Sequence, residues 1–353
     1  MFKCLRIMIL TYLPLLANNS GMAGLRLDQI EGYQKDMYKY ERIGETMQDP
    51  KYSKIYKVKS GATGMGDKFT QKLSAGRLAQ HTAEGQTIVF KSPVSGWTSQ
   101  VAYKTYSDGL TFTYEAVKDA IKMKNMIQDF ANTWGDEVIR AKETWASRAF
   151  NNGGVLLGDK VFNGSFDGDA DASGKLLYDS EPLFNLSGNT NTTKGGGTYY
   201  NSVSTAYPSS GSILPSHIKT LYNLMTATNN RDELDRPTMN KPDTIVCKPG
   251  SDHDDVLTNL QSDKLAGSQL NDKNIYAGRI ANIIPWDYIT ESAIYMGKAN
   301  SDLMTFDERQ APEIDFFEHK PTKGYMASIL TRFGTHFKPR SRALWVRGGG
   351  TSA

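Results

Sequence analysis

"EGQTIVFKSPVSGWTSQVAYKTYSDGLTFTYEAVKD", Glu84–Asp119, changes character halfway along. Its first half mixes Gly, Ser and Thr with short apolar pieces such as Thr87–Phe90. Turn formers bracketing β-prone runs of that length predict strands and turns, not helix. In its second half Asp108-Gly109 is a tight-turn signal between two β-prone runs. Leu110, Phe112 and Tyr114 then alternate as a half-buried strand does, leading into a helix.

That helix is the strongest periodic signal in the chain, predicted from about Glu115 to Phe150. Ile127, Ala131, Trp134, Val138, Ala141, Trp145 and Ala149 recur at intervals of three and four, which places them on one apolar stripe. The two tryptophans read as packing anchors. Gly135 is expected to bend or split the helix, and Asn151-Asn152-Gly153-Gly154 to end it. A long helix that is apolar on one side is a spine against which a sheet can lie.

Upstream, residues 60–97 are rich in Gly, Ser and Thr and suggest an extended hairpin or a functional loop. Residues 22 to about 60 are charged and Tyr-rich with few aliphatics. They cannot form a core alone and read as a partly helical arm that must dock elsewhere. The first twenty residues, "MFKCLRIMILTYLPLLANNS", resemble a signal peptide interrupted by Pro14. The run is too short and broken for a membrane span. The reading preferred here is an extension ahead of a start at Met22.

Downstream, Leu176–Asn201 spends about twenty residues on Gly, Asn, Thr and Ser. After it, "PSHIKTLYNLM" reads as an amphipathic helix with Ile218, Leu221, Leu224 and Met225 on one face. "DTIVCKPG" reads as a buried strand, "SDHDDVLTNLQSD" as a capped helix, and "AGRIANIIPW" and "ESAIYMGK" as further strands. This rhythm indicates a small α/β unit. The C-terminal stretch reads as long β-strands separated by Pro and Gly.

Composition excludes several functions. In 353 residues, 39% are hydrophobic and 22% charged, a globular profile. With Lys plus Arg at 41 against 38 acids, the net charge of +3 gives no footprint of a dedicated nucleic-acid binder. Cys4 and Cys247 allow at most one bridge, which fits a reducing compartment. His81, His217, His253, His319 and His336 are scattered, and neither HExxH nor paired CxxC occurs, which argues against zinc. The best metal candidate is "DGDADASG", with Asp167, Asp169 and Asp171. From Asp169 it begins like a calcium loop, but Ser180 stands where the bidentate Glu belongs, so a solvated acidic turn is preferred. "SDHDD", Ser251–Asp255, reads as helix capping before a His–carboxylate site. Without GxSxG, P-loop, GxGxxG or a Cys nucleophile context, no catalytic residue and no cofactor is assigned.

Two groups of residues together resemble the tailed-phage major capsid proteins. One is Leu183-Phe184, Gly196-Gly197-Thr198 with Asn201, Arg236-Pro237 and Pro242-Asp243. The other is Tyr106, Gly109, Thr113, Glu115 and Asp119. The resemblance covers roughly residues 60–347. It departs from many relatives at Asn185-Leu186-Ser187, where they carry a His. It implies an α+β protein of the Hong Kong 97-like capsid fold. The expected parts are an extension (1–21), an N-terminal arm (22–59), an extended β-hairpin loop (60–105), a peripheral domain with a long spine helix (106–208), an axial α/β domain (209–305) and C-terminal strands returning to both (306–353).

The function so implied is a major capsid protein that self-assembles as hexamers and pentamers into an icosahedral shell around phage double-stranded DNA. Implied partners are further copies of itself, portal and scaffolding proteins, and loosely held DNA, with no membrane. The implied place is the virion capsid, assembled in the host cytoplasm. Arm and loop are expected to lie across adjacent copies, and the Gly/Asn/Thr passage to be a surface excursion. Some relatives cross-link through a loop Lys; Lys68, Lys72 and Lys91 lie in the loop, and nothing selects one. The alternatives are an encapsulin-type nanocompartment and a secreted calcium-dependent surface protein using the leader and the Asp167–Asp171 cluster. An enzyme with an unrecognised site ranks last.

Overall fold

The computed structural model describes residues 27–47, 49–64, 66–73, 94–113, 123–151, 183–185, 191–193, 196–208, 211–261, 274, 276–319 and 324–349, with 84, 90 and 92. The expectations placed on Cys4, Met22, Lys91, Glu115, Asp119 and the Asp167–Asp171 cluster lie outside them.

The chain is an α+β protein. Four strands form the first sheet: β1 (Tyr56–Ser60), β4 (Lys104–Phe112), β11 (Ser301–His319) and β12 (Gly324–Phe337), in the order β1-β11-β12-β4. β11 and β12 pair antiparallel over almost their full lengths, and Pro312 sits beside a register shift within β11. The Pro-containing segment is therefore one strand with a bulge, because a residue without an N–H is tolerated where the ladder is already interrupted.

Asp108-Gly109 is not a turn. Both residues lie inside β4, opposite Ile329 and Ser328 of β12. The alternating residues around them outweigh the local turn preference, and the Asp108 carboxylate accepts a 2.8 Å bond from the Trp134 indole.

One face of this sheet carries two helices, α1 (Leu27–Met47) and, after the four-residue α2 (Tyr52–Ile55), the spine α3 (Met123–Asn151). The predicted stripe is buried at Ala131, Trp134, Val138, Trp145 and Ala149. Met37 joins Ala131, Trp134 and Val138 against Phe112, Ile314, Phe316, Tyr325 and Ile329. The arm thus finds a docking surface on its own chain, which its sequence alone did not show. It manages with few aliphatics because a single stripe, Met37–Glu41–Gly44, faces α3.

Gly135 does not split the spine, which runs as one helix from Met123 to Asn151. It is where the helices approach most closely: a Cβ there would press on the α1 backbone at Glu41 and Glu45. The C-terminal half of the spine is also buried beyond one face, including Lys142 and Glu143. Glu143 accepts from the Lys51 and Tyr52 backbone amides and the Trp286 indole, so its charge is met by donors on three sides.

The second sheet has five strands in the order β7-β13-β10-β8-β9. They are β7 (Ser202–Val203), β8 (Thr244–Cys247), β9 (Asn282–Pro285), β10 (Ala293–Gly297) and β13 (Trp345–Gly349). Successive side chains point to opposite faces, and here both faces are covered. Ala293, Tyr295, Val246 and Trp345 join one core and Ile294, Met296, Ile245 and Val346 another. The second core is closed by α4 (Pro215–Asn223), which continues through a π-helical turn to Thr228, and α5 (Ser251–Gln261). Ile218, Leu221, Leu224 and Met225 are buried there, as their spacing predicts. The first core joins the two sheets around Phe150, whose ring lies 5.1 Å from those of Tyr295 and Trp345 and 5.7 Å from Trp286.

Candidate functional site

Between β1 and β4 the chain leaves the body as a hairpin, β2 (Gly66–Leu73) paired with β3 (Val94–Ala102). These strands pair only with each other, as a two-stranded sheet. Along β2 most side chains are exposed, Lys68 and Lys72 among them. Beyond the strands Phe90 is 88% exposed. One face is partly covered, at Phe69, Leu73, Trp97 and Val101, and the other is exposed. Two strands alone are marginal, so what fixes the hairpin's direction is its root.

The root is built from polar contacts and a few apolar ones. Val101 and Tyr103 are buried. Ser99 Oγ lies 2.9 Å from His336 Nε2 on β12, and the Lys338 ammonium sits 5.0 Å from the centre of the Phe69 ring. On the incoming side the Arg309 guanidinium donates to the carbonyls of Gly64 and Ala62, both at 3.0 Å. Gly61 and Gly64 hold φ of +75° and +86°, which lets the chain turn from β1 into the hairpin without strain. His336 Nδ1 faces Asp307 and Asp67 at 3.9 and 4.0 Å. Burial, helped by Lys338, lowers the His336 pKa to about 4, so its ring is neutral at pH 7.

The arm's docking surface holds the other unusual electrostatics. Lys142 is buried and reaches Glu308 at 3.0 Å and Glu45 at 3.8 Å. Glu41 lies beside them with one carboxylate oxygen unpartnered. Burial, then the Glu45 charge, raise its pKa to about 7, with Lys142 and Arg42 opposing. Desolvation without a hydrogen bond explains the direction.

The motif residues that carry the capsid resemblance turn out to be joints. Asn201 is fully buried. Its side chain accepts from the Asn185 amide at 2.8 Å and donates to the carbonyls of Leu183 (2.8 Å) and Trp345 (3.2 Å). The Gly/Asn/Thr passage is therefore anchored in the core at Asn185 and Asn201, while Gly196 and Thr198 between them are exposed. Gly197 is tied through its amide and Thr193 to the Asp235 carboxylate, at 3.1 and 3.0 Å. Asp243 accepts from Thr244 (2.8 Å) and the Ala299 amide (2.9 Å), holding the start of β8. Tyr106 stacks on Phe333 at 4.7 Å.

In "SDHDD" the acids serve neighbours: Asp252 accepts from the Tyr207 hydroxyl and Asp255 from the Ile213 amide. His253 Nδ1 lies 3.9 Å from the Asp254 carboxylate. Cys247 is buried in β8, and burial pushes its pKa up to about 12. The grouping of Asp67, Asp307 and His336 was missed in the sequence, because three separate strands supply it and no local spacing marks it. No helix among the described residues is long and apolar enough to cross a membrane.

The layout of arm helix, projecting hairpin, spine on long strands and second α/β unit is the one that the Hong Kong 97-like resemblance implies. No protein-family model and no curated protein matches the chain. Among solved structures it is similar to the capsid of Ralstonia phage GP4 (12% identity, TM-score 0.49, covering 84% of this chain and 86% of that one). It is also similar to the mature capsid asymmetric unit of bacteriophage PhiM1 (7%, 0.49, 87% and 89%). A third is a virus-like particle from Pyrococcus furiosus (9%, 0.45, 90% and 99%).

Proposed function

We propose that the chain is a shell subunit, the major capsid protein of a tailed phage, and that its role is structural and not catalytic. The single observation that carries this reading is the β2–β3 hairpin. Among the described residues it pairs only with itself, and most of β2 is exposed. Two strands held out from a body bury too little surface to offset the entropy of ordering them. A second molecule supplies the missing surface, and identical copies in a closed array do so repeatedly, so that modest contacts sum to a stable shell. Among the described residues, the hairpin is an element that presents exposed strand surface for that contact.

In this reading copies meet as hexamers and pentamers, and portal and scaffolding proteins complete the particle. Double-stranded DNA is held loosely inside a virion capsid assembled in the host cytoplasm. A net charge of +3 suits both crowding beside identical copies and weak, sequence-independent contact with DNA.

The test is to express the chain alone and with its neighbouring genes and image the products by electron microscopy. Closed particles are expected from the complete chain. A variant in which a short Gly-Ser linker replaces residues 66–102 is expected to fold and to form none. A wild-type chain that stays a compact monomer at high concentration overturns the proposal. Particles filled with cargo enzyme and free of DNA would favour the nanocompartment reading.

A further inference from the structure

We propose that Asp67, Asp307 and His336 form a binding site for a divalent transition-metal cation of the zinc or cobalt type, which pins the hairpin root to the four-stranded sheet. Asp67 belongs to β2, Asp307 to β11 and His336 to β12, so one ion would join the hairpin to the two long strands.

The geometry suits a first-row dication. One donor atom from each residue lies within 4.8 Å of the other two. His336 Nδ1 is 3.9 Å from the Asp307 carboxylate and 4.0 Å from that of Asp67. These separations are too long for hydrogen bonds. They exceed the edge of a tetrahedron with ligand bonds of about 2.0–2.2 Å by roughly half an ångström, so the donors close in on an ion by a shift of about that size.

Two buried atoms are left without partners. His336 is 1% and Asp307 3% exposed. Among the described residues His336 Nδ1 has no hydrogen-bond partner, and neither has Asp307 Oδ1, the neighbour of the Oδ2 that faces the ring. Buried polar atoms are rarely left so. Ser99 occupies the other ring nitrogen of His336. When Nε2 donates to that hydroxyl, the Nδ1 lone pair points at the carboxylates, which is how a neighbouring group orients a ligating histidine.

One nitrogen and two carboxylates favour zinc or cobalt over calcium, which prefers six or more oxygens. Three protein ligands leave a fourth position for water. Lys59 and Lys338 also act on the histidine from nearby, and their charges oppose a cation. That repulsion weakens the site relative to a closed structural zinc site.

The test is a titration of the complete purified chain with Co²⁺, read by its visible absorption, followed by competition with Zn²⁺. One Co²⁺ per chain, displaced by Zn²⁺, is expected. His336→Gln and Asp67→Asn are expected to weaken binding by about tenfold or more, and Lys338→Met to tighten it. The Asp67 side chain is 59% exposed, so Asp67→Asn keeps the fold and remains decisive if His336→Gln does not fold. Absence of Co²⁺ binding by the wild type, or equal binding by Asp67→Asn, overturns the proposal.

Discussion

A Cβ built on Gly135 of the spine would stand 3.0 Å from the Cα of Gly44 in the arm helix. The two helices meet backbone to backbone, and both glycines are buried at the crossing. Gly135→Ala therefore has opposed effects. It improves intrinsic helix propensity by up to about 1 kcal/mol. It also forces apart two helices already in contact, an overpacking that costs about 1–3 kcal/mol. The second effect wins. Urea unfolding is expected to show net destabilisation, and limited proteolysis faster cleavage between α1 and β1. A Gly135→Ala chain as stable as wild type would show that the arm is not held at this crossing.

This crossing also marks the limit of what the letters reveal. The spine stripe was legible because Ala131, Trp134, Val138 and Trp145 repeat at helical spacing within one segment. β8 and β10 were legible because a strand buried on both faces reads as a short unbroken apolar run. Gly135 was read as a bend or break in the helix, since its reason, close approach to a glycine on another helix, lies outside the segment. Asp108-Gly109 was misread as a turn, since its partners are Ile329 and Ser328. Asn201 was visible as a motif letter and its role was not, because it bonds to Trp345, far along the chain. Local periodicity reports local structure; close approaches and buried polar contacts depend on partners that no window contains.

Glu41 gives arm docking a pH dependence. Its folded pKa, about 7, stands above the ordinary glutamate value of 4.5. At low pH both folded and unfolded states hold the proton, and the group costs nothing. As pH rises past 4.5 the unfolded state ionises first, and stability falls until the folded group also ionises near 7. Glu41→Gln is expected to remove this loss, so the variant gains on wild type from pH 5 to 8 and matches it most closely near pH 4. Thermal melts across that range, compared pairwise, check it. Parallel profiles would mean that Glu41 is already well solvated or paired.

Cys247 is expected to be chemically silent in the folded chain. It is fully buried in a strand covered on both faces, and its pKa is pushed up to about 12. The thiolate is the reactive form, and neither it nor the reagent is available. In a Cys4→Ser background, a disulfide reagent should label Cys247 at the rate of global unfolding and no faster, rising as urea is added. Rapid labelling without denaturant would show that the sheet opens locally at β8.

Asn201 joins the Leu183–Asn185 segment to β13, and two substitutions separate shape from chemistry. Asn201→Leu fills similar volume but strands the Asn185 amide and the carbonyls of Leu183 and Trp345, all within the core. Each buried group left unpaired costs about 1–3 kcal/mol, so a loss of several kcal/mol in urea unfolding is expected. Asn201→Asp keeps the shape and the acceptor for Asn185. It replaces the donor with a charge facing two carbonyls, an arrangement that raises the pKa of the new acid. Its loss of stability relative to wild type is therefore expected to be large at pH 7. It should shrink as pH falls toward 4, where the protonated acid donates to one carbonyl again. If Asn201→Asp matches wild type at pH 7, water reaches this position and the joint is not the closed contact its burial implies.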